Sequence, residues 1–149
     1  MPILFLLQNV GSATRMGNTF GSSGFNQPIG SWDVSNVAVM NFMFAFTPSF
    51  NQDLSPWNDK VSSVTGMKSM FQQATAFNQD LSGWDVTSVN DIQDMFNGAV
   101  LFNQDLCAWN SKLDASATVA NSFAGTACNS TDAPDFTLTP PGPFCAVCT

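Results

Sequence analysis

Three aspartates recur at one position of a repeated sequence and could together bind a hard cation. Asp53, Asp80 and Asp105 each follow Phe-Asn-Gln. Carboxylates stacked about 5 Å apart would repel one another, and Ca²⁺ could relieve that repulsion. The first copy of the pattern has Pro28 instead. The sequence therefore favours solvated turn residues or caps for neighbouring amides, with a calcium site as the alternative.

Four cysteines in the last third of the chain supply the remaining reactive side chains. They are Cys107, Cys128, Cys145 and Cys148. The spacing Cys145-Ala-Val-Cys148 occurs in redox motifs, but that chemistry needs a helix start beside a strand. A zinc site normally needs a second such pair or His. We therefore predict two structural disulfides that staple a C-terminal cap in an oxidising compartment.

The disulfide connectivity is open, because four cysteines allow three pairings. We favour Cys107–Cys128 with Cys145–Cys148, and Cys128–Cys145 with Cys107–Cys148 is the main alternative. The same region holds Asn129-Ser130-Thr131, in which Asn129 is a candidate N-glycosylation acceptor. Such an acceptor agrees with secretion.

The composition excludes several classes of function. The chain has 149 residues and a net charge of −7, with 10% charged residues and no His or Glu. Nucleic acids and anionic membranes both reward clustered Lys and Arg, so neither is an expected partner. Without His or Glu no ordinary nucleophile–base pair can be assembled, so we predict that the protein is not an enzyme and needs no cofactor. The apolar run Ile3 to Leu7 is too short to enter a membrane as a spanning helix.

A repeat organises most of the chain. Phe-Asn-Gln begins at Phe25, Phe50, Phe77 and Phe102, so successive copies start 25, 27 and 25 residues apart. A Trp follows seven residues after each start. Self-similarity at such a period is typical of stacked repeat proteins, in which one unit cannot bury its apolar face alone.

Two local patterns alternate within each unit. Val37, Met40, Met43 and Phe44 fall at i, i+3, i+6 and i+7, which predicts a short helix. The segment that precedes each Trp is predicted to be extended. We therefore predict an α/β solenoid of about four to five stacked coils, each a short parallel strand followed by a short helix.

Local signals at the ends of these patterns complete the prediction. Ser35 and Thr87 stand two residues before the first Val of the helical pattern, where a hydroxyl would serve as N-cap. The second and fourth units carry two extra residues after the Trp. The predicted boundaries are a partial coil or cap at 1–24, coils at 25–49, 50–76, 77–101 and 102–127, and a Cys- and Pro-rich cap at 128–149.

Stacking would place identical side chains above one another. Amide side chains can bond to copies of themselves across a stack, which charged groups cannot do. We predict a structural ladder of Asn26, Asn51, Asn78, Asn103, Gln27, Gln52, Gln79 and Gln104. A core column of Trp32, Trp57, Trp84 and Trp109 is expected beside it.

The units resemble those of the BspA-like leucine-rich surface-repeat family, whose coils read much like F-N-Q-D-L-S-x-W-D-V-S-x-V-x-x-M-x-x-M-F. The similarity runs from about Phe25 to Phe123, and Phe77 to Phe96 carries nearly every marked position. The resemblance implies a leucine-rich-repeat-like solenoid on a secreted or surface-attached protein. It implies adhesion, partner contact or extracellular structure and brings no catalytic site.

We therefore expect an extracellular or cell-surface protein that acts in adhesion or structural assembly. Self-association of the solenoid ends, possible as a filament, is the leading hypothesis, because an uncapped end offers open edges to the next subunit. The alternative is a module that binds another surface protein or a glycan on its concave strand face. The short N-terminal apolar run does not fit a signal peptide, so the chain is interpreted as a fragment of a longer secreted protein.

Overall fold

The repeats lie against one another in sequence order. The computed structural model describes residues 10–148; the apolar segment 1–9, part of the predicted N-terminal coil, and Thr149 lie outside these residues. Parallel bridges join Arg15 to Val39, Val39 to Gly66, Gly66 to Asp91 and Asp91 to Thr118. One residue of each repeat is thus paired with its equivalent in the next.

The predicted α/β class, with a leucine-rich-repeat-like strand and helix in each coil, is wrong. Within residues 10–148 the helical elements are two 3₁₀ turns, Ser55–Trp57 and Cys107–Trp109. β pairing in the same residues is confined to isolated bridges. The segments beginning Phe-Asn-Gln contain no bridge, and the bridges fall at the start of the segments predicted to be helices. Those segments are successions of turns.

Divided backbone hydrogen bonding explains why these segments are not helices. The Met43 amide bonds within its own turn to the Met40 carbonyl oxygen at 3.1 Å, whereas the Phe44 amide bonds to the Met70 carbonyl oxygen of the next repeat at 2.9 Å. An α-helix would bond each amide to the carbonyl four residues earlier in the same segment. A chain of turns also brings residues i and i+3 together, so it satisfies the same apolar pattern.

Left-handed backbone angles exclude a helix independently. Phe42 and Phe46 have φ of 60° and 57°, a region that side chains other than Gly and Asn seldom adopt. Every later repeat has the same pair of positions, as does the partial coil. The equivalent residues are Asn18, Ser22, Ser69, Gln73, Asp94, Gly98, Asn121 and Gly125.

The predicted N-cap roles of Ser35 and Thr87 are wrong for the same reason, since no helix follows them. Their backbone amides instead donate to the side chains of Asp33 and Asp85, at 3.1 Å and 3.2 Å. Each aspartate therefore closes a turn of the Asx type.

The core is a continuous set of aromatic and aliphatic columns. Phe44, Phe71 and Phe96 follow one another with ring centroids 5.4 Å and 5.6 Å apart and nearly parallel planes. A second Phe column, which includes Phe50 and Phe77, lies beside the first at about 4 Å. Offset aromatic stacking adds to the hydrophobic gain of burying these rings. Each repeat thus contributes one layer of a shared core.

Candidate functional site

The predicted amide residues lie in one line across the repeats, and they bond in a crossed pattern. Asn51 Oδ1 accepts the backbone amide of Asn78 at 3.0 Å and Gln79 Nε2 at 2.9 Å. The same two bonds link Asn26 to Asn51 and Gln52, and Asn78 to Asn103 and Gln104. Each Asn therefore bonds to the next backbone amide and Gln side chain, not to the next Asn side chain. Gln27 is exposed and makes no side-chain hydrogen bond among residues 10–148.

The three calcium candidates all close local turns. Asp53, Asp80 and Asp105 each accept the backbone amide two residues later on Oδ1, at 2.8 Å. Across the described part of the chain, no group of three or more His, Cys, Asp or Glu side chains could hold a metal ion. The geometry at these carboxylates is that of capped turns.

A second set of aspartates has lowered acidity constants. Thr87 donates to Asp85 Oδ1 from its hydroxyl at 2.6 Å and from its backbone amide at 3.2 Å. These side-chain and backbone hydrogen bonds hold the pKa of Asp85 below its usual value, with a smaller contribution from the charge of Lys112. The pKa values of Asp33, Asp114 and Asp135 are lowered in the same way, each by the Ser or Thr two residues later.

The predicted Trp residues lie in the core. Trp57, Trp84 and Trp109 are fully buried, and Trp32 is 9% exposed at the N-terminal side. Trp84 Nε1 donates to the Leu54 carbonyl oxygen at 3.3 Å, and Trp109 Nε1 donates to that of Leu81 at 3.0 Å. Trp57 Nε1 is buried without a hydrogen-bond partner.

Two lysines hold the longer repeats to the shorter ones, a role that the sequence analysis missed. Lys60 Nζ donates to the Trp32 carbonyl oxygen at 3.2 Å, and Lys112 Nζ donates to that of Trp84 at 3.1 Å. Both lysines lie in the two-residue extensions after Trp57 and Trp109. Their equal offset from those Trp residues in a chain with only four basic residues was the available signal.

The cysteines form two disulfides across the C-terminal end, Cys107–Cys148 and Cys128–Cys145. The pairing favoured from sequence is wrong, and the main alternative is present. The Leu106 amide donates to the Phe144 carbonyl oxygen at 3.1 Å, and Phe144 is fully buried. The C-terminal segment therefore packs on the half of the last repeat that begins Phe-Asn-Gln. Asn129 is exposed beside it.

A shallow depression of about 370 Å³ lies on the surface between the third and fourth repeats. Its lining includes Asp80, Ser82, Gln104 and Asp105, together with Cys107 and Ala108. The carboxylates and amide are polar groups that could bond to hydroxyls of a ligand.

The other half of the last repeat keeps a row of unpaired backbone amides. Val119, Asn121, Phe123 and Gly125 occupy the positions that donate to the next repeat elsewhere, yet their amides have no acceptor among residues 10–148. Asn121 and Gly125 are exposed, Val119 is half-buried and Phe123 is buried. The sequence analysis did not identify this edge. The loss of the Met pair from the fourth repeat, where Val119 and Ser122 stand, was the signal for a terminal unit.

The comparisons with known proteins give one match. A family model described as "Mycoplasma protein of unknown function, DUF285" matches residues 14–135. No curated protein and no solved structure shows significant similarity to the chain. In residues 10–148, no helix has the length and apolar character needed to cross a membrane.

Proposed function

The chain belongs to the family described as Mycoplasma protein of unknown function, DUF285, and from that premise we propose that it is a non-enzymatic repeat protein of the cell surface or extracellular space, serving in adhesion or structural assembly. Two disulfides support an oxidising environment, since such bonds persist mainly outside the cytosol. The resemblance to BspA-like surface repeats supports the same location.

Association of the molecule through its ends is the favoured mode of action. The observation that carries it is the row of unpaired amides at Val119, Asn121 and Gly125. Along the rest of the molecule the equivalent amides are bonded to the next repeat, and the Asn and Gln side chains are bonded along the ladder. Unpaired edge groups are a template for another chain.

Sedimentation velocity and electron microscopy of the native protein test this function. We expect oligomers or filaments whose share rises with protein concentration, because end-to-end contacts are heterologous and do not close on themselves. A particle that stays monomeric at every concentration would remove the proposal.

Recognition of a glycan or a second surface protein is the other candidate, favoured by the depression between the third and fourth repeats. Ser82→Ala and Ala108→Leu change its lining without altering charge. If the depression is the binding site, both variants lose binding on a glycan array or to surface extracts while the thermal midpoint stays unchanged. Binding that survives both changes would exclude this site.

A further inference from the structure

The repeats are joined by a ladder of backbone hydrogen bonds that has one direction. At each of the four steps, four amides of the earlier repeat donate to four carbonyl oxygens of the later one, at 2.7–3.0 Å. In the first step Met16, Asn18 and Phe20 donate to Val39, Asn41 and Met43, so donors and acceptors both recur every second residue. The ladder is therefore polar, with donors directed towards the C-terminal end.

This direction leaves unlike groups at the two ends. The last repeat presents the amides of Val119, Asn121 and Gly125, as described above. The partial coil presents the carbonyl oxygens that precede its own donors by one residue. These are the oxygens of Arg15, Gly17, Thr19 and Gly21, and no described residue donates to them.

Both edges are accessible. Asn121 and Gly125 are exposed at one end, and Arg15, Gly17 and Thr19 are exposed at the other. The two rows have the same two-residue spacing and complementary chemistry, donors on one and acceptors on the other. A second copy of this chain is consequently the partner that fits both rows at once.

We propose that one copy binds the next head to tail, by pairing the amide edge of residues 119–125 with the carbonyl edge of residues 15–21. The register is fixed by the internal steps: Val119 bonds to the carbonyl of Arg15, Asn121 to that of Gly17, and Gly125 to that of Gly21. Thr118 of one copy then stands opposite Arg15 of the next, as Asp91 stands opposite Thr118 within the chain.

Small side chains fit this register. The column between repeats that holds Asn41 and Lys68 is filled by side chains that bond across the step, since Asn41 Oδ1 accepts the Lys68 amide at 3.1 Å. At the ends, the equivalent positions are Gly17 and Ala120, which leave room for two edges to meet.

The contact is confined to an edge. The disulfide-bonded C-terminal segment covers the other half of the last repeat, through Phe144 and Cys107–Cys148, and Phe123 is buried. The full apolar end of the stack is therefore not available to a second copy. We expect an association that is reversible and depends on concentration, because edge pairing alone buries little apolar surface.

Charge at the Thr118–Arg15 contact tests this register, which rests on the proposed function. Thr118→Arg places like charges across the contact, and Thr118→Asp places opposite charges there. Both residue types occur natively at this position of the repeat, at Arg15 and Asp91, so both variants are compatible with the fold. The matched control is Ser88→Arg, which adds the same charge at an exposed position away from both edges.

Sedimentation equilibrium at low salt should show Thr118→Arg weakening association about three- to fivefold and Thr118→Asp strengthening it by a similar factor. The double variant Thr118→Arg with Arg15→Asp should restore the wild-type constant, and Ser88→Arg should not change it beyond a general charge effect. Circular dichroism spectra that match the wild type show that the variants remain folded.

The two proposals fail in different ways. If the wild type associates but Thr118→Arg, Thr118→Asp and the double variant behave like Ser88→Arg, the register is wrong while end-to-end assembly stands. If the wild type is monomeric under all conditions, both the register and the assembly function are overturned. Salt-sensitive, opposite effects of the two Thr118 variants with rescue by Arg15→Asp support the register.

Discussion

Asparagine side chains of the ladder each replace two hydrogen bonds that a neighbouring repeat would otherwise make with water. Asn51 Oδ1 accepts from the Asn78 amide and from Gln79 Nε2, at 3.0 Å and 2.9 Å. Its equivalent in the last repeat, Asn103, accepts nothing on Oδ1 among residues 10–148, although its backbone amide is bonded to Asn78. The two residues therefore differ in one respect only, the next repeat above them.

This difference gives a matched pair of substitutions. Asn51→Ala should lower the free energy of unfolding by about 1 kcal/mol, because two bonds are lost at an exposed site where water can partly replace them. Asn103→Ala should change it by a few tenths at most. Urea unfolding followed by Trp fluorescence measures both. Equal losses for the two variants would contradict the structural role of the ladder.

The turn aspartates connect stability to acid. Because the pKa of Asp85 is lower in the folded protein, its bonds to Thr87 contribute stability above the unfolded pKa, and that contribution is lost as the pH falls through the folded pKa. Thr87→Ala removes the hydroxyl donor, which is the largest cause of the shift, and keeps the backbone donor. The pKa of Asp85 should rise towards its ordinary value.

An NMR titration of the carboxyl carbons measures this change. Asp135 serves as the internal control, since its hydroxyl donor Thr137 is untouched and its pKa should stay low. Unfolding midpoints of the wild type between pH 5 and pH 2 should fall on acidification, and by less in Thr87→Ala. An Asp85 pKa that does not move would show that the hydroxyl bond is not formed in solution.

At the scale of the element, the repeated turn unit explains what the sequence could and could not indicate. The recurrence of Phe-Asn-Gln indicated which residues are equivalent, and the ladder bonds do join residues 25 to 28 positions apart. The type of element could not be read from the apolar spacing, because helices and chains of turns both bring i and i+3 together. The left-handed angles at Phe42 and Phe46 carry no Gly or Asn to announce them.

The disulfide pairing failed for a related reason. Cys107–Cys128 is nearer in sequence than Cys107–Cys148, and closeness along the chain was the available guide. The observed bond spans 41 residues because the C-terminal segment returns to the Phe-Asn-Gln half of the fourth repeat. Only the path of that irregular segment decides which thiols meet, and its Pro-rich sequence has no period from which a path follows.

A pair of Trp residues tests the energetics of one turn unit. Trp84 and Trp57 are equally buried, but Trp84 Nε1 has an acceptor and Trp57 Nε1 has none. Substitution by Phe removes similar volume from both. Trp84→Phe should therefore cost about 1 kcal/mol more than Trp57→Phe, because only the former loses a hydrogen bond. Equilibrium unfolding in urea compares the two, and a larger loss at Trp57 would contradict the assigned contacts.

For the whole molecule, stability should grow with the number of repeat interfaces, since each repeat contacts mainly its neighbours. The lysine contacts of Lys60 and Lys112 join each longer repeat to the shorter one before it. A second copy of residues 50–101 inserted after residue 101 keeps that alternation. We expect a higher urea midpoint and a larger dependence of the unfolding free energy on urea, because more surface is buried.

The matched control for this insertion duplicates residues 77–101 alone. A shorter repeat then follows a shorter repeat, and the new Trp carbonyl has no lysine above it. This variant should gain less per added residue than the paired insertion. A paired insertion that unfolds in a separate transition, or that lowers the midpoint, would show that the repeats are not energetically continuous.

The left-handed positions have a consequence for the safety of an exposed edge. An unpaired row of amides in a flat, extended strand recruits any compatible peptide and is a hazard for amyloid growth. The edge of the last repeat leaves the extended conformation at Asn121 and again at Gly125, with φ of 57° and 69°. An ordinary β-strand cannot follow such a path without losing alternate hydrogen bonds. The kinks therefore act as a shape filter that admits a chain bent in the same way and turns away generic aggregation partners.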